Sequence, residues 1–235
     1  MQECADRRDY DFVAAVQRTL NNSYIADMAK YATPRETTRI MAVWDCVPAQ
    51  LAKENHKFQY RIIKSGARAN EYEVALGWLK AAGMIHKCIC VSQGNYPLAA
   101  YAANEAFKVY MVDTGLLCSK LDIAAHVVIG TPPGFDGFKG ALAENYIMQA
   151  LAANGINAYY WNSNGKAEVD FVFQTHDGHV VPLEAKSAEN VRSKSLRSFR
   201  DLYNPEFVYR VSAGNFGYEN GIKSVPLYAV FCVRP

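Results

Sequence analysis

From Tyr10 to Ala32, apolar side chains recur at helical spacing (Phe12, Val13, Val16, Leu20, Tyr24, Ile25, Met28), which predicts an amphipathic helix. Thr33-Pro34 breaks the pattern, since Thr33 can cap a new helix and Pro34 suits a first helical position. Glu36 to Leu51 predicts a second helix with a stripe of Ile40, Met41, Trp44 and Val47, and Pro48 is expected to distort or end it. In the polar stretch Lys53 to Arg68, Tyr60 to Ile63 reads as a short strand. Asn70 can cap a third helix, Glu71 to Ala82, which Gly83 ends before a strand from Met84 to Val91. Helices followed by a strand in this order suggest a winged-helix domain.

Turn residues dominate from Ser92 to Gly140, interrupted by a strand expectation over Phe107 to Asp113 that stops at Thr114-Gly115. The loop from Gly130 to Gly137 is the boundary candidate. Beyond it the pattern predicts a helix (Leu142 to Asn154), a strand (Ala158 to Trp161), a hairpin, a helix (Ser193 to Tyr203) and strands at Phe207 to Val211 and Leu227 to Val233. The chain is therefore expected to be α/β (α+β): a winged-helix-like domain over 1–91, a connecting segment over 92–137, and an α/β sandwich over 138–235.

The hairpin holds the candidate chemistry. Glu168 to Gln174 and His179 to Lys186 both alternate apolar and polar residues around His176-Asp177-Gly178. A three-residue loop with Gly178 in the left-handed position would set Asp170 opposite Glu184. Lys186, two residues on, then points with Glu184, while Val169, Phe171, Phe173, Val181, Leu183 and Ala185 take the other face. Two carboxylates and an ammonium would converge there as a candidate divalent-metal site. Charged cross-strand pairs on a solvated face give the same pattern and contribute little. Glu144 adds a fourth group: it heads a stripe of Ile147, Met148 and Leu151 on its helix, where a carboxylate facing the core needs a partner. A place in the first helical turn, near water, would also satisfy it.

Composition narrows the class only slightly. Half of the 235 residues are hydrophobic and the formal net charge is +2, too small to argue by itself for nucleic acid or membrane. The six cysteines show no framework spacing, and Cys88-Ile89-Cys90 lacks the second pair that zinc would need. Buried free thiols in a reducing cytoplasm are the expectation. Glu3, Asp6, Arg7 and Arg8 do not read as a signal peptide, and no apolar run approaches the ~20 residues of a membrane span.

Glu144 on a helix, Asp170 on the first hairpin arm and Glu184-Ala185-Lys186 on the second resemble the PD-(D/E)XK nuclease superfamily, with Val169 in place of the proline. The resemblance implies a nuclease-like sandwich in which Asp170 and Glu184 hold Mg²⁺ or Mn²⁺. It implies that Lys186 orients water and stabilises the phosphate, and that Glu144 assists the metal or its waters. The implied activity is DNA phosphodiester hydrolysis. A wider resemblance rests on Gln50 to Asn55, Gly66-Ala67-Arg68, Trp78 to Gly83, Pro97-Leu98, Phe107 to Leu117 and the three site blocks. Together these are similar to the C-terminal half of a prokaryotic AAA-type ATPase family, a winged helix plus a nuclease-related domain of unknown function. No Gly-x-x-x-x-Gly-Lys-Ser/Thr loop is present, and Asn164-Gly165-Lys166-Ala167 lacks the spacing and the hydroxyl. ATP hydrolysis by this chain alone is therefore not expected, and an ATPase domain in the same protein or in trans is the expected partner.

DNA is the other expected partner. Lys194, Arg197 and Arg200 fall every three residues along one helix beside the site, a face suited to phosphate contact or simply to solvation. Lys53, Lys57, Arg61, Lys64 and Arg68 could touch nucleic acid or pack on an ATPase module. A non-catalytic module that binds DNA or a partner is the alternative to a nuclease. His56, His86, His126, His176 and His179 show no metal-ligand spacing.

Overall fold

The computed structural model of the chain describes residues 9–53, 56–130, 132, 134–186 and 194–234. Glu3, Cys4, Asp6, Arg7, Arg8, Glu54, Asn55, Thr131, Pro133 and Ser193 carried expectations above and lie outside the described residues. The chain is α/β and divides into two compact units, Met1–Ile85 with Met111–Phe138, and His86–Tyr110 with Lys139–Pro235.

In the first unit, α1 (Tyr10–Tyr31) starts at Asp9, whose side chain accepts from the Phe12 N–H. Next, α2 (Pro34–Leu51) opens on a reciprocal cap: Glu36 N–H donates to Thr33 Oγ1, and Thr33 N–H donates to Glu36 Oε2 at 3.0 Å. Pro48 does not end this helix, which runs three residues further with Pro48 itself buried. The expected strand at Tyr60 to Ile63 is instead one helical turn, α3 (Tyr60–Ile63). Gln50 supplies the reason, because its buried amide accepts from Gln59 N–H (2.9 Å) and donates to Gln59 C=O (3.0 Å). Those backbone groups need no strand partner once the amide has taken them. α4 (Ala69–Ala81) starts before Asn70, with Arg68 N–H donating to Glu71. Trp44, Val47, Leu51, Ala75 and Leu79 are buried in this unit.

The strand expected to close the first domain, β1 (Ile85–Val91), is an inner strand of the second unit's sheet, lying between β2 (Ala102–Met111) and β3 (Tyr159–Asn162). The boundary expected at residue 91 and the connector expected over 92–137 are corrected accordingly. Residues 86–110 belong with the C-terminal sheet because β1 pairs in parallel with β3, Ile89 opposite Tyr159. After β2, Asp113 caps α5 (Thr114–Lys120) by accepting from Leu116 N–H at 2.8 Å, a helix where the sequence pattern suggested a turn. A short helix, α6 (Ala125–Gly130), follows.

The second unit continues with α7 (Asp136–Ala153), β3, β4 (Glu168–Gln174), β5 (Val180–Ala185), α8 (Lys194–Tyr203), β6 (Val208–Ser212), β7 (Gly217–Glu219) and β8 (Ile222–Pro226). The eight strands form one mixed sheet in the order β2-β1-β3-β4-β5-β6-β8-β7. Leu227 to Cys232, expected as a strand, is a 3-10 turn, and the last ladder strand lies earlier and ends at Pro226, which has no N–H to donate. β7 and β8 form a hairpin through Asn220 and Gly221, both at positive φ. On one side of the sheet, Leu196 and Phe199 of α8 join Val91, Leu98, Trp161, Val169, Val172 and Val208 in a core cluster. Phe199 meets Trp161 edge to face at 5.2 Å.

Candidate metal and phosphate site

The β4–β5 hairpin adopts the register read from its turn. Phe171 pairs with Leu183 and Gln174 with Val180, while Thr175 N–H donates to His179 C=O and Gly178 sits at φ 84. Continued one step, this register sets Asp170 opposite Glu184. Ala185 N–H donates to Asp170 Oδ2 at 2.8 Å, fixing the Asp170 carboxylate against the Glu184-Ala185-Lys186 segment. The Lys186 ammonium lies 2.7 Å from Glu184 Oε1.

The other edge of β4 departs from simple alternation. Tyr159 pairs with Val172 and Trp161 with Val169, so two steps on β3 face three on β4. Asp170 and Phe171 therefore share one bulge opposite Tyr160. Such a bulge re-aims side chains, and here it returns Val169 to the same core cluster as Val172, a correction to the face assigned to Val169 from alternation.

Two residues the sequence reading passed over complete the cluster. Lys108 and Tyr110, one repeat apart on β2, are 1% and 0% exposed. The Lys108 ammonium lies 2.9 Å from Glu168 Oε1 and 3.6 Å from Glu144 Oε2. Tyr110 O–H donates to that same Glu144 oxygen at 2.8 Å. Glu144, on α7, thus faces inward with partners rather than lying in solvent. The signal for both residues was one lysine inside the apolar run Phe107 to Met111, all of it buried.

Electrostatics follow from this crowding. Burial pushes the Asp170 carboxyl up, to about 8; Glu144 adds to the rise, Lys108 opposes it, Glu184 adds again, and the Ala185 N–H opposes it. Asp170 keeps part of its surface in solvent, which tempers the size of the shift and not its direction. For Lys108, burial acts to lower the pKa, but Glu144, Asp170 and Glu168 outweigh it and hold the ammonium charged. Burial raises Tyr110 far above its ordinary range, so it stays a neutral donor to Glu144.

Glu184 Oε2 is buried without a hydrogen-bond partner, an expensive state for a carboxylate oxygen. Among the described residues, no group of three His, Cys, Asp or Glu side chains is arranged to hold a metal ion. The donor set nevertheless fits Mg²⁺, which commonly takes one or two protein carboxylates and completes its shell with water and phosphate oxygens. Asp170 and Glu184 would supply the two carboxylates, with Glu184 Oε2 the atom lacking a partner.

Of the basic residues, Lys194 and Arg197 are exposed on α8 away from Leu196 and Phe199, while Arg200 is half-buried at the border of that buried face. Arg200 lies against the turn at Gly221. No helix among the described residues is long and apolar enough to cross a membrane. Cys46, Cys88, Cys90, Cys118 and Cys232 are free thiols.

No curated protein and no solved structure matches the chain. Residues 139–230, which include Glu144, Asp170, Glu184 and Lys186, match the domain of unknown function DUF4143, which occurs in proteins associated with AAA-type ATPases. Lys108 and Tyr110 fall in the other match, residues 1–126, and through it the chain belongs to the family described as domain of unknown function DUF8612.

Proposed function

We propose that the second unit is a PD-(D/E)XK nuclease-like site that uses Mg²⁺ or Mn²⁺ to hydrolyse DNA phosphodiesters. The observation that carries this is the meeting of Asp170, Glu184 and Lys186 at one end of the hairpin, with a buried carboxylate oxygen left unpartnered. A bound Mg²⁺ would supply Lewis acidity and a more acidic water. Asp170, held by Ala185 N–H, and Glu184 would hold that ion. Lys186, ion-paired yet partly exposed, can place its ammonium against a water or a non-bridging phosphate oxygen. Glu144 is tied to Tyr110 and Lys108, so it acts by setting the local charge. Lys194, Arg197 and Arg200 present cations to a phosphate backbone. The chain would work in the cytoplasm beside an AAA-type ATPase domain, in the same protein or in trans, with the helical first unit as its winged-helix-like part.

A second reading is favoured by one specific observation. The Lys108 ammonium already pairs with two of the carboxylates, as expected of a fold that binds DNA or a protein partner without cutting. Calorimetric titration of the full chain with Mn²⁺ separates the readings. The nuclease-like reading expects binding that Glu184→Gln abolishes. No binding by the wild type, or DNA binding indifferent to metal, would support the non-catalytic module instead.

A further inference from the structure

Four carboxylates crowd this site: Glu144, Glu168, Asp170 and Glu184. A hard-oxygen cluster of that size could serve two divalent cations, which in two-metal hydrolases lie about 3.5–4 Å apart. Lys108 argues against that here. Its ammonium stands between Glu168 (2.9 Å) and Glu144 (3.6 Å), the place a second cation would occupy. It is not a surface side chain that could swing away. The residue is 1% exposed, its stem rises from the interior of β2, and its ammonium lies 5.1 Å from the centre of the Tyr160 ring. Tyr110 takes the Glu144 oxygen that faces it, leaving that carboxylate doubly committed.

We infer that Lys108 is a resident counter-charge that restricts the site to a single divalent cation, held by Asp170 and Glu184. The inference rests on the metal-binding reading above. Charge balance supports it: with Asp170 ionised, as holding a cation requires, four carboxylates against the ammonium groups of Lys108 and Lys186 leave two negative charges, the complement of one Mg²⁺ or Mn²⁺. Residues 139–230 contain Glu144 and Glu168 but not the cation that pairs with them.

The test counts Mn²⁺ bound per full-length chain, by calorimetry and by the electron paramagnetic resonance signal of free Mn²⁺. The wild type is expected to bind one. Lys108→Met should bind two, and its melting temperature should rise more steeply with added Mn²⁺ than the wild type's, because Glu144 and Glu168 then need a replacement cation. The double variant Lys108→Met/Glu168→Gln should return toward one. Two ions on the wild type would overturn the inference while leaving the metal reading intact. So would Lys108→Met binding only one ion, with a melting temperature that responds to Mn²⁺ as the wild type's does. No Mn²⁺ on the wild type would overturn both. If Lys108→Met does not fold, the wild-type count alone decides.

Discussion

Tyr110→Phe is the cleanest probe of the buried network. The substitution deletes one hydroxyl and keeps the ring, so the tilted contact with Phe171 at 5.8 Å survives and no large cavity opens. What is lost is a 2.8 Å hydrogen bond to Glu144, whose residue is 9% exposed. A hydrogen bond to a charged group contributes roughly 1.5–3 kcal/mol. Lys108 remains 3.6 Å from the same oxygen, which places the expectation toward the lower end. Because the chain has two units, a single unfolding curve would mix their transitions. Native-state hydrogen exchange at Phe171, Val172 and Phe173 reads the sheet of the second unit directly. Protection there should fall on the order of 10- to 30-fold, at about 1.4 kcal/mol per tenfold. Protection within about twofold of wild type would refute the claim that Glu144 depends on Tyr110.

Three further outcomes are expected. The raised Asp170 carboxyl binds a proton in the folded chain that the unfolded chain releases above its ordinary value of 3.8, so stability should fall as pH rises from there through about 8. Asp170→Asn should flatten that segment of the thermal-melting profile, and parallel profiles for the two proteins would contradict the assignment. Gly94→Ala would put a Cβ 2.4 Å from the Phe199 ring and 2.9 Å from Tyr203, both packed on Trp161, costing about 1–3 kcal/mol; an unchanged melting temperature would show that the rings can yield. Replacing Lys194, Arg197 and Arg200 with Gln should weaken DNA binding and make it less dependent on salt, whereas an unaltered salt slope in filter binding would assign that face to solvation alone.

The legible parts of the chain were those with local causes. Thr33 and Pro34 announced a helix start, and the Asp177-Gly178 turn set the register that brings Asp170 and Glu184 together. Long-range causes were not legible. Nothing near Tyr60 to Ile63 indicates that Gln50 will occupy the backbone of Gln59 and leave the segment free to coil into a helical turn. Likewise, β1 looks like the end of one domain because its partner β3 arrives about 70 residues later. Asn220-Gly221 is different: that turn signal was present and passed over, and the β7–β8 hairpin went with it. Within the site, the hairpin carboxylates could be read from alternation together with the turn. Lys108 could not, since a lysine in an apolar strand is interpretable only once Glu144 and Glu168 are seen to surround it.

The most direct test is nicking of supercoiled plasmid by the full chain in Mn²⁺ or Mg²⁺, compared with Asp170→Ala and Lys186→Ala proteins whose circular dichroism matches the wild type. A nuclease-like site predicts metal-dependent conversion to open circles by the wild type and none by either variant. No nicking by the wild type in either metal, on plasmid or on single-stranded DNA, or nicking that survives both substitutions, would contradict it.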